Sequence, residues 1–198
     1  SNSIIVAVLS SIIACLLGFC AAYALSRYRL PGSAFQRILI TAPMTVSYLI
    51  IALGLLVLFN WMGIRLSLWT VGVGHVVINL PLCFAIIYAS MGDHQKNIER
   101  AARDLGANNF QVMLLITAPI LMPSILAALF LSITFSWDEF IISFLLSRFD
   151  VTLPVEIWSL LRSGLNPKTN AIGSLVFLLS VGLLIILELF VFRQRSPK

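Results

Sequence analysis

Five long apolar stretches, about Ile4–Leu25, Ile38–Phe59, Trp69–Ala89, Ile120–Leu146 and Ala171–Phe192, are separated by short polar segments. A bilayer core about 30 Å thick takes roughly 20 apolar residues of helix to cross. Each stretch therefore predicts one membrane span. Gly18, Ala21, Ala22, Gly54, Gly72 and Gly74 lie within them, and small residues let helix backbones approach closely in lipid. Pro81 falls inside the third span beside His75 and Asn79, where it removes a backbone hydrogen bond and predicts a kink. That kink suits simple packing or a helix lining a gated path. No repeat or soluble domain boundary interrupts the pattern, so residues 1–198 read as one transmembrane domain.

The polar segment 93–117 differs from the other connections. Ile98, Ala101, Ala102 and Leu105 fall at i, i+3, i+4 and i+7, which gives one small, apolar helix face. Glu99, Arg100, Arg103 and Asp104 supply the charged remainder, and Gly106 ends the helix in the left-handed cap that glycine favours. A second amphipathic piece, about Asn109–Ile116, leads to Pro119. A face of this kind suits either docking on a partner protein or lying on lipid headgroups.

The composition agrees with lipid burial. The chain is 60% hydrophobic and 11% charged, with mean hydropathy +1.01, whereas soluble domains carry about 25% charge. The net charge of +5 is unevenly placed. Arg27, Arg29 and Arg37 follow the first span, Lys96, Arg100 and Arg103 the third, and Arg193, Arg195 and Lys198 the fifth. Cytoplasmic loops collect positive residues, which puts the N-terminus outside, the C-terminus inside, and 93–117 in the cytoplasm. An outside N-terminus implies a span preceding the first one seen here. Three separate clusters do not form the single basic face that nucleic acid requires. Cys15, Cys20 and Cys83 lie within spans with no metal-ligand spacing and read as packing residues. No metal site and no cofactor is expected in this chain.

Arg100-Ala101-Ala102, three residues, Gly106, nine residues, then Ile116-Thr117-Ala118-Pro119 resembles the E-A-A-x3-G-x9-I-x-L-P loop of ABC importer permeases. Arg100 stands where that motif has glutamate, with Glu99 adjoining, and Ala118 stands where it has leucine. The likeness covers nearly the whole chain and is strongest to the second, C-type permease subunit of spermidine/putrescine importers. Tyr28 to Gly32, Leu55 to Phe59, Gly74-His75 with Leu80-Pro81, Arg103 to Ala107 and Ser136 to Phe140 carry it, as do Leu153-Pro154, Ser159, Gly164, Pro167 and Asn170-Ala171.

The resemblance implies an all-α integral membrane fold, the type I ABC importer bundle, with five spans present and a first one preceding them. It also implies a second permease subunit, an ABC ATPase dimer, and a periplasmic or lipoprotein solute-binding protein. The coupling helix contacting the ATPase would comprise Ile98, Glu99, Arg100, Ala101, Ala102, Asp104, Leu105 and Gly106. The setting would be the bacterial inner membrane. The solute would be spermidine or putrescine, with an opine or aminophosphonate as alternatives.

Asp138 and Glu139 sit within the fourth span, flanked by Phe135, Trp137 and Phe140. A charge at the bilayer centre costs about 2.5–3.5 kcal/mol on insertion scales and usually faces a cavity or a partner. Trp137, Asp138 and Glu139 are the candidate solute contacts, since aromatic faces beside carboxylates suit an organic cation. Interhelical hydrogen bonding around a core tryptophan is the competing role. Beyond the span, 147–170 is expected to be a periplasmic loop with Arg148, Asp150, Glu156 and Arg162 on its surface.

Enzymatic readings find no support. Asp138 is the only aspartate within a span, and neither G-x-S-x-G, H-E-x-x-H nor G-x4-G-K-[ST] is present. ATP hydrolysis must then belong to a partner. A secondary transporter would be expected to show repeats and discontinuous helices in both halves, and the hydropathy pattern reveals neither.

Overall fold

The computed structural model describes residues 2–28, 31–148 and 152–162, with scattered positions between 170 and 185. All regular structure among these residues is helical. The fifth predicted span, Ala171–Phe192, falls largely outside the described residues.

Two helices cross the bundle unbroken, α1 (Asn2–Arg27) and α4 (Leu68–Ala89). Their packing reverses the soluble pattern. On α1 the branched residues Ile5, Leu9, Ile12 and Leu16 point outward, while Ala7, Ser10, Ser11, Ala14, Gly18 and Ala22 are buried against α4 and α8 (Met122–Asp138). Lipid is as apolar as leucine, so helices in it gain by close backbone contact and not by hiding large side chains. A Cβ on Gly18 would lie 2.9 Å from the backbone N of Phe84 and 3.0 Å from Cys83 Cβ. Only glycine permits this crossing. α4 continues through Pro81 as one element, and Pro81, His75 and Asn79 are all buried. In this conformation they line no open path.

The predicted span Ile38–Phe59 is not one straight helix. α2 (Ser33–Thr41) passes into a 3-10 turn, Ala42–Thr45, and then meets α3 (Tyr48–Trp61) at a bend of 105°. Val46 and Ser47 are extended, and Pro43 opens the 3-10 turn, since it cannot donate to a continuing helix. The predicted span Ile120–Leu146 is broken as well. α8 starts after a 74° bend at Leu121 and stops at Asp138, Glu139 is extended, and α9 (Ile141–Leu146) begins beyond it. Discontinuous helices are thus present, contrary to expectation, because a hydropathy average passes through a backbone break unchanged.

The polar segment after α4 holds α5 (Asp93–Asp104), α6 (Asn109–Gln111), a π-helical turn Val112–Thr117, and α7 (Ala118–Ile120). Gly106 has φ +93°, the left-handed stop predicted for it. A reciprocal pair starts α6: Asn108 Oδ1 accepts from Gln111 N (2.8 Å), and Gln111 Oε1 accepts from Asn108 N (2.9 Å). The π-turn accommodates Pro119, whose missing N–H leaves the usual i−4 bond unmade, and Ala118 N–H bonds Met113 instead. The segment 147–170 is not simply a loop, since α10 (Leu153–Arg162) forms within it.

Hydrogen bonds define the two ends of the bundle. At one end, Arg27 of α1 reaches Glu99 of α5 and Ser124 Oγ donates to Ser90 Oγ (2.7 Å). Arg37, Lys96, Arg100 and Arg103 belong to this basic end. At the other end Leu153 N donates to Ser3 Oγ (2.6 Å), and Thr70 Oγ1 lies 2.9 Å from the carbonyl of Leu146. The first end is the one that the positive charges predict for the cytoplasm.

Candidate functional site

Two regions carry the candidate residues, one at each end. At the basic end α5 presents Leu105, 90% exposed, Ile98, 37% exposed, and exposed Ala101, with Ala102 half-buried. Ala102, Leu105, Gly106, Ala107, Leu115 and Ile116 line a groove of about 400 Å³ between α5 and the following segment. Arg100 and Asp104 are exposed beside it. At the start of α5, Asp93 pairs with Lys96 (2.8 Å), whose ammonium holds that carboxyl below its ordinary range.

Glu99 departs from expectation. It is not part of the solvated charged face, because its side chain is fully buried. Arg27 Nε donates to Glu99 Oε2 at 2.7 Å, Thr117 Oγ1 donates to Oε1 at 2.9 Å, and Arg103 Nη2 lies 3.9 Å from Oε2. The Arg27 side chain is itself only 4% exposed. A carboxylate so enclosed persists because a cation and a hydroxyl satisfy both its oxygens. Glu99 therefore ties three elements together: the end of α1, the middle of α5, and the π-turn that leads into α8. Sequence reasoning missed Arg27 and Thr117. The only signal was the position of Arg27 at the end of an apolar span, where arginines are common.

At the opposite end, Trp137, Asp138, Phe140, Pro154, Ile157 and Trp158 surround a cavity of about 280 Å³. Asp138 is the last residue of α8, where the helix breaks, and it is exposed. Phe140 stacks on Phe144 (5.3 Å) and meets Trp158 at 5.7 Å, a tilted contact that walls one side. Trp137 Nε1 is buried with no partner among the described residues. Such a pocket joins one carboxylate to several aromatic faces at the low end of ligand-site volumes. A carboxylate among aromatic faces has the chemistry to hold an ammonium group.

Glu139 does not share that cavity. It is 8% exposed, and its Oε1 accepts the backbone N–H of Ile142 at 3.1 Å. The carboxylate caps α9, satisfying a donor that the helix start leaves free. Of the three predicted solute contacts the fold brings Trp137 and Asp138 together and turns Glu139 to a structural task. Trp158 was not foreseen. Nothing in the sequence marks it, since it lies 20 residues beyond Asp138 in a segment expected to be loop.

Residues 4–196 match the family described as binding-protein-dependent transport system inner membrane component. The chain belongs to this family. It is an inner-membrane permease subunit of an ABC transporter. It is 32% identical over 189 residues to the spermidine/putrescine transport system permease protein PotC of Escherichia coli (strain K12), covering 95% of this chain and 72% of that one. PotC of Haemophilus influenzae is 29% identical over 189 residues, covering 95% of this chain and 74% of the relative. The putrescine transport system permease protein PotI of Escherichia coli (strain K12) is 34% identical over 183 residues, covering 88% and 65%. In fold, the chain is similar to a bacterial ABC transporter involved in the import of the acidic polysaccharide alginate. That likeness has TM-score 0.61 at 17% identity and covers 99% of this chain and 76% of the other. Family membership excludes the secondary-transporter reading, although the broken helices resemble those of such proteins.

Proposed function

We propose that this permease forms half of the pathway of an ATP-driven importer for a small organic cation of the polyamine type, spermidine or putrescine. The juxtaposition of Asp138 with Trp137, Phe140 and Trp158 at the non-cytoplasmic end carries the proposal. An ammonium leaving water gains both a carboxylate and cation–π faces there, the latter reaching about 2 kcal/mol once desolvated. The similarity to PotC and PotI, permeases of spermidine/putrescine and putrescine transport systems, supports the same solute class.

The other half of the pathway comes from a second permease, and a solute-binding protein delivers the cation. Hydrolysis belongs to an ATPase dimer that receives α5, for this chain has no phosphate-binding loop. ATP-driven closure of the dimer displaces α5 as a rigid lever. The buried contact of Glu99 with Arg27 and Thr117 then passes the displacement to α1 and, through the π-turn, to α8. Asp138 lies at the far end of α8, so motion at the cytoplasmic end re-aims the carboxylate. The two bundle states are those of alternating access.

Uptake by the complete complex in proteoliposomes tests this reading. Labelled putrescine or spermidine is expected to accumulate only with ATP inside, and an opine or aminophosphonate is expected not to compete. Accumulation of either competitor in place of the polyamine would replace the solute assignment.

A further inference from the structure

The solute reading needs Asp138 held in place, yet α8 ends there and the extended backbone at Glu139 offers no helical bond to hold it. Opposite the break lies His75 of α4, only 1% exposed. Its Nδ1 is 2.5 Å from Ser136 Oγ, just before the break, and its Nε2 is 3.1 Å from Ser143 Oγ, just after it. One imidazole therefore spans both sides of the discontinuity. The approach of α4 and α9 that permits this depends on Gly74, where a Cβ would come within 2.5 Å of Ile142 Cγ2.

One arrangement of the protons joins these groups in series. Ser143 Oγ lies 3.1 Å from the Glu139 carbonyl; with its proton placed there, its oxygen accepts from His75 Nε2–H. Nδ1 of the neutral ring is then an acceptor, and Ser136 must donate to it. Ser10 Oγ of α1 lies 3.2 Å from Ser136 Oγ and 3.4 Å from the Ala7 carbonyl; its proton, given to Ser136, extends the series to α1. In this arrangement the bonds run in one direction, from α1 through Ser136 and His75 to Ser143 and the Glu139 carbonyl. Hydrogen bonds aligned this way strengthen one another in a low dielectric.

We propose that His75, as its neutral Nε2–H tautomer, is a positioning residue that clasps the α8–α9 break and so fixes where Asp138 meets the solute. This rests on the reading of Asp138 as the solute contact. It assigns His75 no contact with solute.

The test uses the full complex in lipid nanodiscs for spectroscopy and in proteoliposomes for transport. The chain has two histidines, so His94→Asn, with the nitrogen label confined to this subunit of the complex, leaves His75 as the sole one seen by ring-nitrogen NMR. The expected spectrum is that of a neutral ring protonated at Nε2, altered by Ser143→Ala. A ring protonated at Nδ1, or at both nitrogens, overturns the proposal. In transport, His75→Leu is expected to raise the KM for the cation about tenfold, the size of one buried hydrogen-bond pair, with a smaller change in maximal rate. His75→Gln keeps one donor and one acceptor and is expected to restore most of the affinity. In an Asp138→Asn background, His75→Leu is expected to add little, since the two act in series. An undiminished effect there overturns the proposal. Should His75→Leu fail to assemble, Ser143→Ala carries the same KM expectation. A normal KM in Asp138→Asn overturns the underlying solute reading, whereas normal KM values in both His75→Leu and Ser143→Ala, with Asp138→Asn impaired, overturn the role of His75 alone.

Discussion

Glu99→Ala is expected to destabilise the permease by about 3–5 kcal/mol, the usual result of leaving one partner of a buried ion pair alone. The cost arises at Arg27, whose side chain is 4% exposed and whose Nε would lose its 2.7 Å acceptor. Ser26 Oγ, 2.8 Å from Nη1, cannot replace a carboxylate, and Nη2 already has no partner among the described residues. Thr117 would also lose its acceptor on the π-turn. Thermal unfolding in detergent, together with the yield of folded protein, measures the effect. The paired change Arg27→Met with Glu99→Leu is expected to recover most of the loss, because it leaves no buried charge. Full stability in Glu99→Ala would contradict the burial and the three-way contact. Arg100→Ala, one residue on but exposed, is expected to leave stability within about 0.5 kcal/mol of the parent.

Asp138→Asn is expected to reduce ATP-driven cation uptake at least tenfold without loss of assembly. Asparagine keeps the shape and removes the charge, and a hydrogen bond to a charged group contributes about 1.5–3 kcal/mol. Glu139→Gln is expected to transport nearly normally, since an amide oxygen can still accept from Ile142 N at the start of α9. Initial rates of labelled polyamine uptake, normalised to complex recovered on the ATPase subunit, separate the two acids. Equal impairment of both would put Glu139 in the pathway and contradict its role as a cap.

The two acids illustrate what the sequence discloses. Adjacent residues on a helix point about 100° apart, so the two acids cannot face the pathway along one line, and which of them does depends on where α8 stops. No pattern marks that stop. Val46-Ser47 is similar, with Pro43 visible in the sequence yet equally compatible with a span that merely ends near it. By contrast α1 and α4 were legible from length and hydropathy because they cross unbroken. Gly106 and the exposed stripe of α5 were legible from local spacing, which a short helix obeys without help from the fold. The burial of Glu99 was not, because Arg27 is 72 residues away in the chain. Ser136 and Ser143, the partners of His75, lie 61 and 68 residues from it.

Mechanical work is taken to reach this bundle from outside, at the stripe of Ile98, Ala101, Ala102 and Leu105. A photo-crosslinking residue in place of Leu105, within the intact complex in native membrane, tests that most directly. The adduct is expected to be the ATPase subunit, in a yield that changes between nucleotide-free and ATP-trapped states. Adducts with phospholipid alone, with the ATPase present and active, would contradict the account.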